Sequence, residues 1–119
     1  MNNESIIRIE GIEFWGRYIF LTAASGHALL KIFFDEKLPN GTCEIGELNT
    51  HPQKQRQGYA TLLLQTAENI ARGKGCDVIQ LWTKKGTWVQ EWYERMGYIV
   101  QDFMTPPSND TLWLKKFLR

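Results

Sequence analysis

The chain has 119 residues, 43% of them hydrophobic and 23% charged, with a formal net charge of +1. A chain of that length makes one domain, 1–119, with a core of its own, and its balanced composition excludes disordered and collagen-like architectures. The near-neutral balance argues against a nucleic-acid or anionic-membrane binder, which carries a basic face, and no apolar run approaches the ~18 residues of a membrane span.

The first half reads almost entirely as strand. Ile6 to Phe14 alternates apolar and charged residues, and Tyr18 to Thr22 is rich in β-formers. A turn at Ala24–His27 leads into a strand over Ala28–Phe34, and Pro39-Asn40-Gly41 predicts a second turn. Cys43–Thr50 forms a further strand, closed by His51-Pro52. The period then changes: Ala60, Leu63, Leu64, Ala67, Ile70 and Ala71 make a helical stripe within Tyr59–Arg72, which Gly73-Lys74-Gly75 ends. Val78–Thr83 is a strand, so the helix between it and Cys43–Thr50 predicts a crossover joining parallel strands. A second helix runs from Trp88 to Met96, with Thr87 and Gln90 at capping-box spacing and Val89, Trp92, Tyr93 and Met96 on one face. Tyr98–Val100 and Leu112–Leu114 supply the last strands. The expected class is an α/β fold with a mixed sheet.

Cys43 and Cys76 stand far apart with no metal-ligand spacing, so buried free thiols and no metal site are expected. The residues Met1–Ser5 lack the basic and apolar regions of a signal peptide, which predicts a cytoplasmic location. The strand-rich first half and its aromatic residues leave room for a homodimer. The pairs Lys84-Lys85 and Lys115-Lys116 read as solvated charges, and His27 has no evident partner.

The segment from Thr50 to Thr61 joins a strand to a helix. A helix start offers amides without intrahelical partners at the positive end of the dipole, and Gly58 and Ala60 allow close backbone approach, so this is a candidate phosphate site. Other phosphate motifs fail: there is no G-x-G-x-x-G, and Glu47-Leu48 stands where a P-loop after Gly41 and Gly46 needs Lys-Ser/Thr.

Gln55-Arg56-Gln57-Gly58-Tyr59-Ala60 resembles the Q/R-x-x-G-x-G/A signature of the GNAT superfamily of acetyl-CoA-dependent N-acetyltransferases. Trp92-Tyr93-Glu94-Arg95-Met96-Gly97-Tyr98 and Leu112–Lys116 resemble two later segments of that family, in the right order over residues 43–119. The resemblance implies a mostly antiparallel twisted sheet with a V-shaped splay between two central parallel strands, and two main helices. It implies acetyl-CoA as cosubstrate, with the backbone of Leu48, Asn49 and Thr50 bonding the pantetheine arm. Gln55, Arg56, Gln57, Gly58, Tyr59, Ala60 and Thr61 would hold the pyrophosphate. It also implies that Tyr93 protonates the leaving thiolate, for which a phenol near pKa 10 is suited. Glu44 and Glu47 are both candidates for the base. Side-chain alternation puts them on opposite faces unless a bulge intervenes, so the choice stays open.

Two departures stand out. Many family members carry a pair of helices after the first strand, whereas residues 10–45 show no helical stripe. That implies an open acceptor site, suited to a protein or peptide amine. Gly86-Thr87 also stands where many members have an asparagine near the cofactor. The implied activity is direct transfer of an acetyl group to a primary amine in a ternary complex. The alternative is a GNAT-fold acetyl-CoA-binding or regulatory module without catalysis.

Overall fold

The computed structural model describes residues 6–14, 16–34, 38–51, 53, 55, 57–102 and 105–119. Its elements follow the order β1 (Ile7–Glu13), β2 (Gly16–Ala23), β3 (Ala28–Phe34), β4 (Thr42–Thr50), α1 (Tyr59–Gly73), β5 (Val78–Lys84), α2 (Trp88–Arg95), β6 (Ile99–Gln101) and β7 (Thr111–Phe117). They form one seven-stranded sheet in the order β1-β2-β3-β4-β5-β7-β6. β1 to β4 make an antiparallel meander, β4 and β5 run parallel, and β7 is antiparallel to both β5 and β6. Between β2 and β3 the chain turns through a short 3-10 segment, Ala24–Gly26, whose Ala24 and Ser25 both have positive φ.

Both crossovers, β4–α1–β5 and β5–α2–β6, step the same way along the sheet, so right-handed connection sets α1 and α2 on the same face. That face is the core. Ile19, Leu21, Leu30, Ile32, Ile45, Ile79, Leu81 and Leu114 are buried there, and α1 meets them with Leu63, Leu64, Ala67 and Ala71. Each such leucine or isoleucine contributes about 1.5–3 kcal/mol on burial. Among the described residues no α-helix covers the opposite face. The register places Tyr18, Phe20, Lys31, Phe33, Trp82 and Trp113 on it. Lys31 lies 4.4 Å from the Tyr18 ring centroid and ion-pairs with Glu13 at 2.8 Å.

The predicted elements recur with boundaries moved by at most three residues, and the strands that lengthen do so because pairing extends past the runs of β-formers. β2 starts at Gly16 and β7 reaches Phe117, each carried on by its partner strand. Lys116 is not the solvated charge expected. Its ammonium donates to Glu68 Oε1 and to the Met96 carbonyl, both at 2.9 Å, and Glu68 is itself buried. Tyr98 donates to the other Glu68 oxygen at 2.9 Å. Cys43 and Cys76 are buried and free, and burial pushes the Cys43 thiol pKa well above its ordinary value.

Candidate active site

The site forms where β4 and β5 part. Their pairing stops after Thr42↔Val78, Cys43↔Ile79 and Glu44↔Gln80, so β4 from Ile45 onward pairs with β3 alone. The cause lies in the β3–β4 register. Lys31 opposes Glu47 but Ile32 opposes Ile45, leaving Gly46 as the extra residue of a β-bulge. A side chain at Gly46 would meet the Phe33 ring at 2.3 Å, so only glycine leaves that ring in place. The bulge also shifts side-chain parity. Glu44 opposes Phe33 and Glu47 opposes Lys31, so both carboxylates share the uncovered face. The bulge on which the choice between the two faces turned is thus present.

The two glutamates differ in their surroundings. Glu44 is half-buried and accepts a 2.7 Å hydrogen bond from the amide of the buried Gln80. Glu47 is exposed, has no hydrogen bond or ion pair among the described residues, and lines a slot of about 450 Å³ with Gly46, Trp82, Lys84, Thr87 and Trp88. Trp82 and Trp88 remain 45% and 68% exposed, so the slot has open aromatic walls.

A second cavity, of about 540 Å³, lies between β4, the start of α1 and α2. Leu48, Asn49 and Thr50 line one side, Gln55 and Gly58 through Thr61 the end, and Trp88, Val89, Trp92 and Tyr93 the other side. α1 begins at Gly58, whose φ of 85° is the left-handed conformation glycine adopts at little cost, and among the described residues no side-chain cap bond is made at this N-cap. The amides of Ala60 and Thr61 in its first turn lack intrahelical partners, and the turn adds the positive end of the helix dipole. The Gln55 side-chain amide donates to the Thr50 carbonyl at 3.1 Å, which ties the loop to the end of β4, and Gln57 donates to Gln53 at 3.2 Å. Gln57 thus braces the loop and is absent from the cavity lining. Arg56 lies outside the described residues.

The cavity and the slot share Leu48, Asn49, Trp88, Val89 and Tyr93, so they meet at Tyr93. The Tyr93 side chain is 6% exposed and stacks edge-on against Trp92 and Tyr98, with ring centroids 4.9 and 5.5 Å away. Burial raises its phenol pKa well above the ordinary value, keeping the hydroxyl protonated. α2, which carries it, is held at its start by Thr87, whose hydroxyl accepts from the Gln90 amide and donates to the Lys84 carbonyl. The reciprocal half of the capping box goes elsewhere: Gln90 accepts from the Gly86 amide, not from Thr87. Thr87 is thus occupied with its helix.

His27 and His51 lie beside the end of β4 and pack edge-to-face at 5.4 Å, so His27 does have a partner. Among the described residues, no three His, Cys, Asp or Glu side chains gather as a metal site, and no helix is long and apolar enough to cross a membrane. Neither Trp88 nor Val89 stands among the candidate catalytic or cofactor-binding residues that the sequence names, although both line the cavity. Their spacing of four from Trp92 and Tyr93 on one helix held that signal.

Residues 11–98 match the model of the acetyltransferase (GNAT) family. The chain belongs to that family, which makes it an acyltransferase, and its seven-stranded sheet with one parallel pair is the GNAT fold. Among curated proteins, none matches the sequence. Among solved structures, a putative acyl-CoA N-acyltransferase from Klebsiella pneumoniae superposes with a TM-score of 0.73 at 24% identity, covering 86% of this chain and 73% of that one. A Bacillus subtilis acetyltransferase in complex with CoA gives 0.70 at 16% identity, covering 95% and 99%. The PaiA N-acetyltransferase of Thermoplasma acidophilum, also with coenzyme A, gives 0.70 at 20% identity, covering 84% of this chain and 60% of that one.

Proposed function

We propose that this chain is an acetyl-CoA-dependent N-acetyltransferase that acylates a primary amine directly. The observation that carries the reading is the meeting of two cavities at a buried, protonated Tyr93. The larger one suits the cofactor. It offers an unpaired β4 edge to an amide-bearing arm, as an added strand would use it, and a capless helix start to a pyrophosphate. The first-turn amides of α1, with Gly58 at their head, hold the phosphate charge, while Leu48 and Asn49 align the arm. The bound thioester supplies the acyl group.

Tyr93 then donates its hydroxyl proton to the departing sulfur, a task that fits a phenol whose burial disfavours ionisation. Glu47 receives the proton of the incoming ammonium, directly or through one water, since its carboxylate lines the slot and is bonded to nothing else among the described residues. Glu44 serves as a positioning residue, fixed on Gln80 beneath the bulge. No cysteine lines either cavity, which supports transfer without an acyl-enzyme. The slot's exposed tryptophan walls and single carboxylate favour an amine presented on an extended chain, such as a peptide amine. Two buried free cysteines are in keeping with a cytoplasmic setting.

The test is calorimetric titration with acetyl-CoA, followed by thiol-release assays on a panel of amines. Micromolar binding and turnover that falls by about 10²–10⁴ in Tyr93→Phe, with binding retained, is the expected result. Binding with turnover indifferent to Tyr93→Phe would move the reading to a regulatory module. Absence of binding would overturn it.

A further inference from the structure

The outer edge of the sheet carries a second feature. β1 is the terminal strand, and among the described residues its backbone pairs only with β2. Edge strands usually carry charge, proline or a covering element that blocks association. β1 carries Ile7 at 58%, Ile9 at 52% and Ile12 at 75% exposure, with Arg8 and Glu10 as its central charges.

The sequence of this edge is self-complementary. Two copies of β1 placed antiparallel about a two-fold axis normal to the sheet keep like faces together only in registers where paired residue numbers sum to an even value. Centring on Arg8 sets Arg8 against itself, and centring on Glu10 sets Glu10 against itself. Centring on Ile9 sets Arg8 against the second copy's Glu10 twice, Ile9 against Ile9, and Ile6 against Ile12. Gly11 falls opposite Ile7, and the Tyr18 ring already lies over Gly11, so Ile7 gains an aromatic neighbour.

The geometry points to β1 as a homodimerisation edge, joining two seven-stranded sheets into one fourteen-stranded sheet centred on Ile9. β2 and β3 stand between this edge and the β4–β5 cleft, so each subunit keeps its own complete site. An interface of two short strands is at the small end of specific contacts, which makes the association weak and reversible.

Sedimentation velocity of the whole chain from about 5 to 500 µM, a span set around that affinity class, reads the mass directly. The expected result is a shift from 13.9 kDa towards twice that mass. Arg8→Glu and Glu10→Arg each weaken association about tenfold by creating two like-charge pairs, and the double variant restores it. Register is read by oxidation. Ile9→Cys forms a disulfide-linked dimer, whereas in Ile7→Cys the two thiols lie about 13 Å apart along the strands and do not join. Cys43 and Cys76 are buried and give no background. A monomer at every concentration overturns the proposal. A dimer indifferent to both charge reversals, or one in which Ile7→Cys links as readily as Ile9→Cys, overturns it equally.

Discussion

In Gly46→Ala, the new Cβ would stand 2.3 Å from Cε2 and 2.9 Å from Cδ2 of Phe33. Carbon contacts settle at about 3.5–4.0 Å, so the ring must retreat by about 1.2–1.7 Å. Phe33 lies on the uncovered face and has room to swing, at the expense of its tilted contact with Tyr18 at 6.4 Å and its place 5.3 Å beneath the Lys31 ammonium. Overpacking of this kind costs about 1–3 kcal/mol. Gly46 has no positive φ, so alanine also restricts the unfolded chain and returns about 0.4–1 kcal/mol. The net loss is about 0.5–2 kcal/mol, a fall in Tm of about 2–10 °C for a chain of this size. With Phe33→Ala as background the clash is gone and only the unfolded-state gain remains, so the same change stabilises by about 0.4–1 kcal/mol. Denaturant unfolding of the four proteins gives the coupling. A penalty for Gly46→Ala that is equal in both backgrounds would refute the packing account of the bulge.

Gly58→Ala puts a side chain on a left-handed residue and should cost about 1–2 kcal/mol in thermal unfolding, with weaker CoA binding by calorimetry as α1's first turn shifts. Glu68→Ala should cost about 2–4 kcal/mol, because it strands the Lys116 ammonium and the Tyr98 hydroxyl together, whereas Tyr98→Phe should cost only about 1–2 kcal/mol. Chemical denaturation of the two variants checks the ranking. Burial raises the phenol pKa of Tyr93, and burial with the Glu68 charge raises that of Tyr98. Both favour the folded state while protonated. Their contribution is complete below the unfolded pKa near 10 and is lost as pH rises beyond it. An alkaline titration followed at 295 nm should therefore show Tyr93 and Tyr98 ionising only with unfolding, and their early ionisation in folded protein would contradict that placement.

The core and the order of the elements were open to reading from residue period alone. The Leu63, Leu64, Ala67, Ala71 stripe names the buried face of its helix. The helix between two strands likewise foretold the parallel pair. The placement of Glu44 and Glu47 was not open to such a reading. It depends on one unpaired glycine, and glycine in a strand marks a bulge only once the partner's register is known. Lys116 departs from its expected solvation for a related reason. A charge on an amphipathic element looks solvated until a residue 48 positions away is brought beside it. The cavity wall at Trp88 and Val89 follows from α2 lying over the mouth of the splay, which only the assembled sheet defines.

The bonds that fasten α1 to the far half of the sheet are gathered towards one end of the helix. Glu68 takes Tyr98 and Lys116, and Arg72 donates to the Leu118 carbonyl at 2.9 Å, while Gly58 at the other end faces the cavity. β4 and β5 are laced by three residue pairs on the side away from the opening. The helix is therefore a lever with its fulcrum at Glu68. Ten residues separate Glu68 from Gly58, about 15 Å of helix. A tilt of ~5° about that fulcrum carries the cavity-facing end through about 1.3 Å, roughly half a hydrogen-bond length. The width of the cavity at Gly58 thus follows the angle of one helix, and a change at Glu68, which lies outside the cavity lining, reaches that end.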